Sequence, residues 1–207
     1  MWQNLEMPWK SAAELAWESY KSGSLPIAAV IVDLEGNVAA AGRNSILEEN
    51  GINRKIAHAE MKALMALDYN THPRIREYTM YATLEPCPMC MGAIVMCDMR
   101  KLRIAARDPW AGAVGICDYP YIASKNMDIC FEDGNVSEIL TVLYLCRLLE
   151  GYRKHDEFLT VLKDDAPKEF ALSEQFCAQG TLRGFAHKGA GMEEVYNYIG
   201  SKMSKGR

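Results

Sequence analysis

The sequence predicts an α/β sandwich in which the outer half of the sheet is mainly parallel. Between about residues 26 and 108, short β-branched runs alternate with segments rich in helix-forming residues. This alternation is typical of strands joined by helices that pack on the faces of one sheet. The chain has 207 residues, 49% of them hydrophobic, which is enough to bury a sizeable core in one domain with or without an appendage.

The individual elements follow from local residue chemistry. Residues 8–21 place small and apolar side chains at helical spacing behind a proline that suits a first helical turn. The β-branched run at 26–33 is followed by turn residues, so 38–44 is predicted to pair back as a second strand. Helix formers fill 56–70 and end before a proline. The next predicted elements are a strand at 78–84, a helix at 87–99, a strand at 101–108 and a helix at 137–154.

The remaining segments are less regular. Glycines and a proline interrupt any period within 109–137, and this segment receives no assignment. Beyond about residue 156 lies a tail of some fifty residues with eight acidic and seven basic side chains, a balance of −1. Within this tail, 180–191 is predicted to be a loop and 192–203 a last short helix.

Composition narrows the classes of function. A net charge of −4 and a pI near 5.6 argue against a broadly basic surface for nucleic acid. No apolar run approaches the ~20 residues that span a bilayer, and the first residues lack the pattern of a signal peptide. The seven scattered cysteines suit thiols in the core or on a metal in a reducing compartment. We therefore expect a cytoplasmic protein with no membrane partner.

Three side chains form a candidate metal site. His58, Cys87 and Cys90 offer one imidazole nitrogen and two thiolates, which are zinc-type ligands. A Cys-x-x-Cys at the start of a helix lets both sulfurs reach one point, and the positive helix end favours thiolate. Three protein ligands leave a tetrahedral ion one open position, the arrangement of a catalytic zinc that holds water.

Two further cysteines are candidates for a fourth ligand. Cys97 lies seven residues beyond Cys90, roughly 10 Å along a helix, so it is predicted to belong to the core. Cys117 would complete the shell only if its loop folded back. The sequence therefore favours a zinc ion whose fourth coordination position is not filled by the protein.

Glu60 supplies the acid–base group. A zinc-bound water has a pKa near 7, and a neighbouring carboxylate can take its proton and deliver it elsewhere. Residues i and i+2 do not share a helix face, so His58 and Glu60 act together only if the first turn of their helix faces the site. His-x-Glu alone is typical of a surface pair, and Cys-x-x-Cys alone fits a redox pair or a structural zinc half-site. Together, with a proline before Cys87, they indicate a catalytic zinc site.

The order of these motifs is the H-x-E…P-C-x-x-C signature of zinc nucleobase deaminases. The chain resembles the cytidine deaminase-like superfamily, and within it most closely the branch of bacterial tRNA adenosine deaminases and of nucleoside and guanine deaminases. The resemblance covers roughly residues 8–155. It is carried by "PIAAVIVD" (26–33), "GRN" (42–44), "AHAE" (57–60), "TLEPCPMCMGA" (83–93) and "AARDPWAGAVG" (105–115).

The resemblance implies a three-layer α/β/α sandwich with a central five-stranded mixed sheet, commonly in a homodimer. It implies that His58, Cys87 and Cys90 bind Zn²⁺, while Glu60 shuttles protons as zinc-activated water replaces the amine of a base. Residues 1–155 would then form the catalytic domain. Residues 156–207 would form a C-terminal extension packed on the same domain.

The resemblance also implies substrate contacts. The amide of Ala59 and the backbone near Leu84 and Glu85 would orient the base. Asn44 would hydrogen-bond the substrate, although an asparagine here also suits a turn that closes the strand.

Asp108 and Trp110 lie in a segment that borders the pocket in relatives. Asp108 would contact a sugar or cap the next turn, and Trp110 would stack on a base or serve in packing. Trp110 departs from the tRNA enzymes, in which a polar or basic residue is usual.

Charge bears on the substrate. Binding six phosphates requires about six cations on one face. The segment 147–158 contains Arg147, Arg153 and Lys154, but acidic residues offset them. The leading hypothesis is therefore a deaminase of a free nucleobase or nucleoside, with purines preferred. The alternatives are a tRNA adenosine (A-to-I) deaminase and, in another class, an inactive zinc-stabilised binding protein.

The aromatic side chains of the tail must be shielded from solvent by packing against other parts of the protein. The tail is predicted to stabilise the domain, and the alternative is that it covers the pocket or a dimer interface. These aromatics are Phe158, Phe170, Phe176, Phe185, Tyr196 and Tyr198.

Overall fold

The computed structural model describes residues 1–49, 53–151 and 156–205. A five-stranded mixed sheet forms its centre, as predicted, with the strand order β2-β1-β3-β4-β5. The pairs β1–β2 and β1–β3 are antiparallel, whereas β3–β4 and β4–β5 are parallel. The strands are β1 (Ala28–Val32), β2 (Val38–Arg43), β3 (Thr79–Leu84), β4 (Lys101–Ala106) and β5 (Asp128–Phe131).

Helices cover both faces of the sheet and complete the predicted three layers. In the part of the chain that precedes residue 152, they are α1 (Met7–Lys21), α2 (Ala59–Ala66), α3 (Pro88–Met96), α4 (Pro120–Ala123) and α5 (Asn135–Gly151). All five residues of β1 are buried, and they alternate between the two faces. Ala28 and Val30 pack in one core with α1 and α5, whereas Ala29 and Ile31 pack in the other with α2 and α3.

The described part of the tail, residues 156–205, forms four helices: α6 (Asp156–Asp165), α7 (Pro167–Gln179), α8 (Thr181–His187) and α9 (Met192–Lys205). Their apolar side chains join the cores of the sandwich, with Phe170 in one and Phe176 and Tyr196 in the other. Polar contacts also link the extension to α1, because the indole N–H of Trp17 donates to the carbonyl of Ala190 at 2.8 Å. The division at residue 155 therefore does not separate two independent cores.

Three sequence predictions need correction, and one unassigned segment can now be described. The predicted loop at 180–191 is largely the helix α8, because Gly180 ends α7 with a positive φ of 63° and Leu182 is buried in the core. The helix predicted at 56–70 is shorter, since the chain becomes extended at Leu67. Cys97 was predicted to be buried and is exposed, because it follows the last turn of α3. The segment 109–137, left unassigned, contains α4 and the edge strand β5.

Other predictions fall partly outside the described residues. Of the helix predicted at 137–154, the structure describes α5 to Gly151, and Arg153 and Lys154 lie outside the described ranges. Among the residues that are described, no helix is both long and apolar enough to cross a membrane.

Candidate functional site

The two predicted metal-binding motifs meet at the first turns of α2 and α3. His58 is the N-cap of α2 and Glu60 lies in its first turn, while Cys87 is the N-cap of α3 and Cys90 lies in its first turn. The helix that carries His-x-Glu therefore directs its end at the site, as the sequence analysis requires. Both helix N-termini place partial positive charge beside the two sulfurs, which favours thiolate.

Gly42 allows this close approach. A Cβ at this position of β2 would lie 2.4 Å from the carbonyl oxygen of Ala59 and 2.6 Å from the amide nitrogen of Ala63. Any side chain at residue 42 would therefore push the first turns of α2 away from the sheet. The glycine in "GRN" thus serves to position His58 and Glu60.

The donor atoms suit a zinc ion. Among the described residues, the ligand atoms of His58, Cys87 and Cys90 lie within 4.8 Å of one another, and Nδ1 of His58 is 3.6 Å from each sulfur. Hydrogen bonds from Cys90 and His58, together with the charge of His58, lower the pKa of Cys87 to about 4. Its thiolate is therefore the main form at neutral pH, and one imidazole with two sulfurs is a preferred zinc ligand set.

Cys90 is the protonated thiol of this cluster when no metal is bound. The hydrogen bond to the Cys87 thiolate and burial both raise the pKa of Cys90 in the absence of metal. The hydrogen bond with Cys87 likewise raises the pKa of His58. Cys117 is not one of the grouped ligands, and Cys97 is exposed at the far end of α3. The described residues therefore supply three ligands here.

Glu60 lies beside the ligand set. It is 3% exposed, and its Oε2 is 3.4 Å from the sulfur of Cys90. Burial raises the pKa of Glu60, so its carboxyl group takes up a proton at a higher pH than an exposed one. A buried carboxyl with this property is suited to accept and return a proton.

The site opens into a pocket of about 350 Å³. His58, Glu60 and Cys87 form its floor. The other lining residues are Leu25, Ile27, Asn44, Ile46, Leu84, Glu85, Asp108, Trp110, Ala111, Tyr144 and Phe158. The pocket thus has a polar floor, walls that are mostly apolar, and a volume within the range of small-molecule sites.

Two aromatic side chains, Trp110 and Phe158, line the pocket, and we call this pair its roof. Their rings are in edge-to-face contact with centroids 5.6 Å apart, and Trp110 remains 49% exposed. Phe158 comes from α6 in the extension, outside the region of the resemblance. From the sequence, Phe158 is only one of several aromatic residues that need shielding from solvent, because a contact between residues 110 and 158 is not visible in the local sequence.

Two acidic residues that line the pocket, Glu85 and Asp108, stabilise the loop that carries Trp110. Oδ1 of Asp108 accepts hydrogen bonds from the amides of Trp110 and Ala111, so Asp108 caps the turn, one of its two predicted roles. Glu85 accepts hydrogen bonds from the amides of Asp108 and Val114, and its own amide donates to Ala106 in the sheet. The Glu85 side chain therefore links the Cys-x-x-Cys segment to the loop that carries Trp110.

Comparison with known proteins agrees with this geometry. The family model for the cytidine and deoxycytidylate deaminase zinc-binding region matches residues 3–106. A tRNA-specific adenosine deaminase of Bacillus subtilis is 39% identical over 114 residues, which cover 53% of this chain and 66% of that protein. A cytosine deaminase of Candida albicans is 31% identical over 91 residues, 44% of this chain and 59% of that protein.

A solved structure from a study of A-to-I editing by tRNA:A34 deaminases has a TM-score of 0.51 and 28% identity. The match covers 64% of this chain and 100% of that one. The chain spans about two thirds or less of the length of the first curated relatives it matches. On the match over residues 3–106, and with the ligand set within it, the chain belongs to the family defined by the cytidine and deoxycytidylate deaminase zinc-binding region.

Proposed function

We propose that this protein is a zinc-dependent hydrolytic deaminase that removes an exocyclic amine from a free nucleobase or nucleoside, with purines preferred. The observation that carries the proposal is the position of Glu60. This buried carboxyl lies beside three zinc-type ligands on the floor of a pocket of about 350 Å³.

The residues divide the chemistry among them. A zinc ion held by His58, Cys87 and Cys90 would supply Lewis acidity and activate a water molecule. Glu60 would take one proton from that water and give it to a ring nitrogen of the base as the hydroxyl group adds to the amine-bearing carbon. It would then take the proton of the added hydroxyl group and give it to the amine, which would leave as ammonia while the carbonyl forms. Apolar walls, including Leu25 and Ile27, would contact the faces of the ring and exclude bulk water.

The roof supports a small substrate. Phe158 and Trp110 both line the pocket and contact each other, so their packed rings limit the space available to a substrate. No lysine or arginine is among the described residues that line the pocket. A tRNA-binding surface needs several cations to neutralise phosphates.

A tRNA adenosine deaminase is the second candidate. It is favoured by the names of the relatives, since the Bacillus and Haemophilus proteins at 39% identity are both tRNA-specific adenosine deaminases. The floor of the pocket would serve either substrate by the same chemistry. The two candidates make different demands on the rest of the protein. A tRNA substrate needs access past Trp110 and Phe158 and cations that bind its phosphates, whereas a free base or nucleoside needs neither.

Ammonia release tests the proposal. Purified zinc-loaded protein would be assayed against amine-bearing bases, nucleosides and nucleotides, and against a tRNA anticodon stem-loop. The proposal predicts turnover of a free base or nucleoside that is lost in Glu60→Gln. Turnover of the stem-loop alone would establish the second candidate instead. Turnover of no substrate, with ligand binding unaffected by Glu60→Gln, would indicate the inactive zinc-stabilised binding protein.

The same proposal includes a homodimer. Large apolar side chains are exposed beside the site helices, with Met65 on α2 77% exposed and Met96 on α3 70% exposed. Tyr69 and Ile56, which flank α2, are also exposed. A second copy would cover such side chains. Light scattering should give a mass of two chains, and Met96→Glu should lower it to one.

A further inference from the structure

Asn44 lies in the wall of the pocket with its carboxamide held in one orientation. The main-chain N–H of Ile46 donates to Oδ1 of Asn44 at 3.1 Å, and Oγ of Ser24 lies 2.8 Å from the same oxygen. A backbone N–H can only donate, so the atom it faces must be the carbonyl oxygen of the amide. Nδ2 therefore occupies the other branch of the side chain.

The hydroxyl of Ser24 is itself oriented. The amide of Leu47 approaches Oγ of Ser24 at 3.5 Å, so the hydroxyl accepts on this side and donates its proton to Asn44. Arg147 of α5 fixes the main chain at this point, since its guanidinium donates to the carbonyls of Ser24 (3.2 Å) and Gly23. Ser24 is fully buried and does not line the pocket.

The amide nitrogen is thereby left for the pocket. Among the residues that the structure describes, none accepts a hydrogen bond from Nδ2 of Asn44. Asn44 is almost fully buried, yet it is one of the lining residues. Nδ2 is not among the fully buried side-chain atoms that lack a partner, so it is accessible from the pocket, where a ligand or water can accept its hydrogen bond.

We propose that Ser24 is a positioning residue that turns the N–H₂ of Asn44 toward the substrate. This inference rests on the proposed function and narrows its substrate class. The substrate presents a hydrogen-bond acceptor to this wall, namely a carbonyl oxygen, an unprotonated ring nitrogen or a sugar oxygen. A substrate with only an amine or other donor at that point meets two N–H groups and is rejected.

Ser19 provides a matched control. It is also fully buried, and its hydroxyl lies 2.6 Å from the main-chain carbonyls of Leu25 and Asn44. Ser19 thus contacts the backbone of Asn44 but not its carboxamide. Ser19→Ala and Ser24→Ala each remove one buried hydroxyl from the same region, and only Ser24→Ala frees the amide.

Kinetics with the preferred substrate form the first test. Ser24→Ala should raise KM by about three- to tenfold with kcat little changed, as expected for one hydrogen bond in the binding of substrate. It should also reduce the preference for that substrate over an analogue whose acceptor is replaced by C–H. Ser19→Ala should lower Tm and leave both quantities unchanged. Equal changes in the two variants, or an unchanged KM in Ser24→Ala, would overturn the inference.

A second test needs no turnover. The side-chain N–H₂ signals of Asn44 in a ¹⁵N-correlated NMR spectrum are assigned by their loss in Asn44→Asp. Ser24→Ala should shift them and speed their exchange with water, and Ser19→Ala should not. Signals that are unmoved in Ser24→Ala contradict the role of Ser24 even if the enzyme is active. A shift in a protein that turns over no substrate supports Ser24 and refutes the proposed function alone.

Discussion

The floor and the roof of the pocket come from different parts of the chain. The floor is formed by the first turns of α2 and α3, within the matched residues 3–106. The roof is formed by Trp110 and Phe158, which lie beyond that match. The groups proposed to perform the chemistry thus lie in two short motifs, whereas the groups proposed to limit the substrate come together through tertiary contacts. Perturbing each region separately should therefore change different kinetic constants.

The largest effect is expected on the floor, from Glu60→Gln. Loss of the proton carrier should lower kcat by about 10²- to 10⁴-fold. Zinc content by elemental analysis should be unchanged, because Glu60 is not one of the three grouped ligands. A kcat within tenfold of wild type would show that another group moves the proton.

Gly42→Ala should damage the floor through the backbone. The new Cβ would lie 2.4 Å from a main-chain atom of α2, so the helix must shift. Such overpacking costs about 1–3 kcal/mol, and we expect a Tm lower by several degrees with at least a tenfold loss of kcat.

Gly92→Ala in α3 is the matched control for this change. Its Cβ would meet nothing within 4 Å, and alanine favours helix, so Tm should be equal or higher. Equal losses in the two variants would refute the role assigned to Gly42.

Phe158→Ala should affect the roof alone. Removing one ring of the aromatic pair should raise KM by about two- to tenfold and admit bulkier substrates, with kcat largely retained. Phe185→Ala is the control, because that ring packs on Tyr198 away from the pocket. An unchanged substrate range in Phe158→Ala would remove the extension from substrate selection. Deleting the whole extension is a poorer test, since Phe170 and Phe176 belong to the cores.

The smallest effect is expected from Asp108→Asn, measured as stability against pH. Burial raises the pKa of Asp108 above the usual value of an aspartate, so its charged form destabilises the folded state. Asparagine keeps the acceptor for the two turn amides without the charge. The Tm of Asp108→Asn should match that of wild type below about pH 3.8 and exceed it by a few degrees at neutral pH. The difference in Tm should grow with pH between these two values. A lower Tm at neutral pH would mean that the charge stabilises the turn.

The sequence predicted the floor because its chemistry is local. His58 and Glu60 lie at the start of α2, and Cys87 and Cys90 lie at the start of α3, so the spacing within each motif places its side chains at one helix end. The expectation that the two helix ends meet came from the resemblance. The positions of β1 to β4 along the chain likewise followed from alternating periodicity.

The roof and the extension could not be predicted in the same way. Phe158 reaches the pocket through the packing of α6, and α8 forms around glycine residues because Leu182 is buried. The exposure of Cys97 depends on where α3 ends, which differs from the predicted boundary by a few residues. Tertiary packing determined each of these outcomes.

Zinc stoichiometry measured together with turnover tests the central claim most directly, namely that three ligands hold the ion beside Glu60. We expect one zinc per chain in wild type, Glu60→Gln and Cys117→Ser, with turnover retained in Cys117→Ser. Cys90→Ser should lose both zinc and turnover. Full zinc and turnover in Cys90→Ser, or their loss in Cys117→Ser, would contradict it.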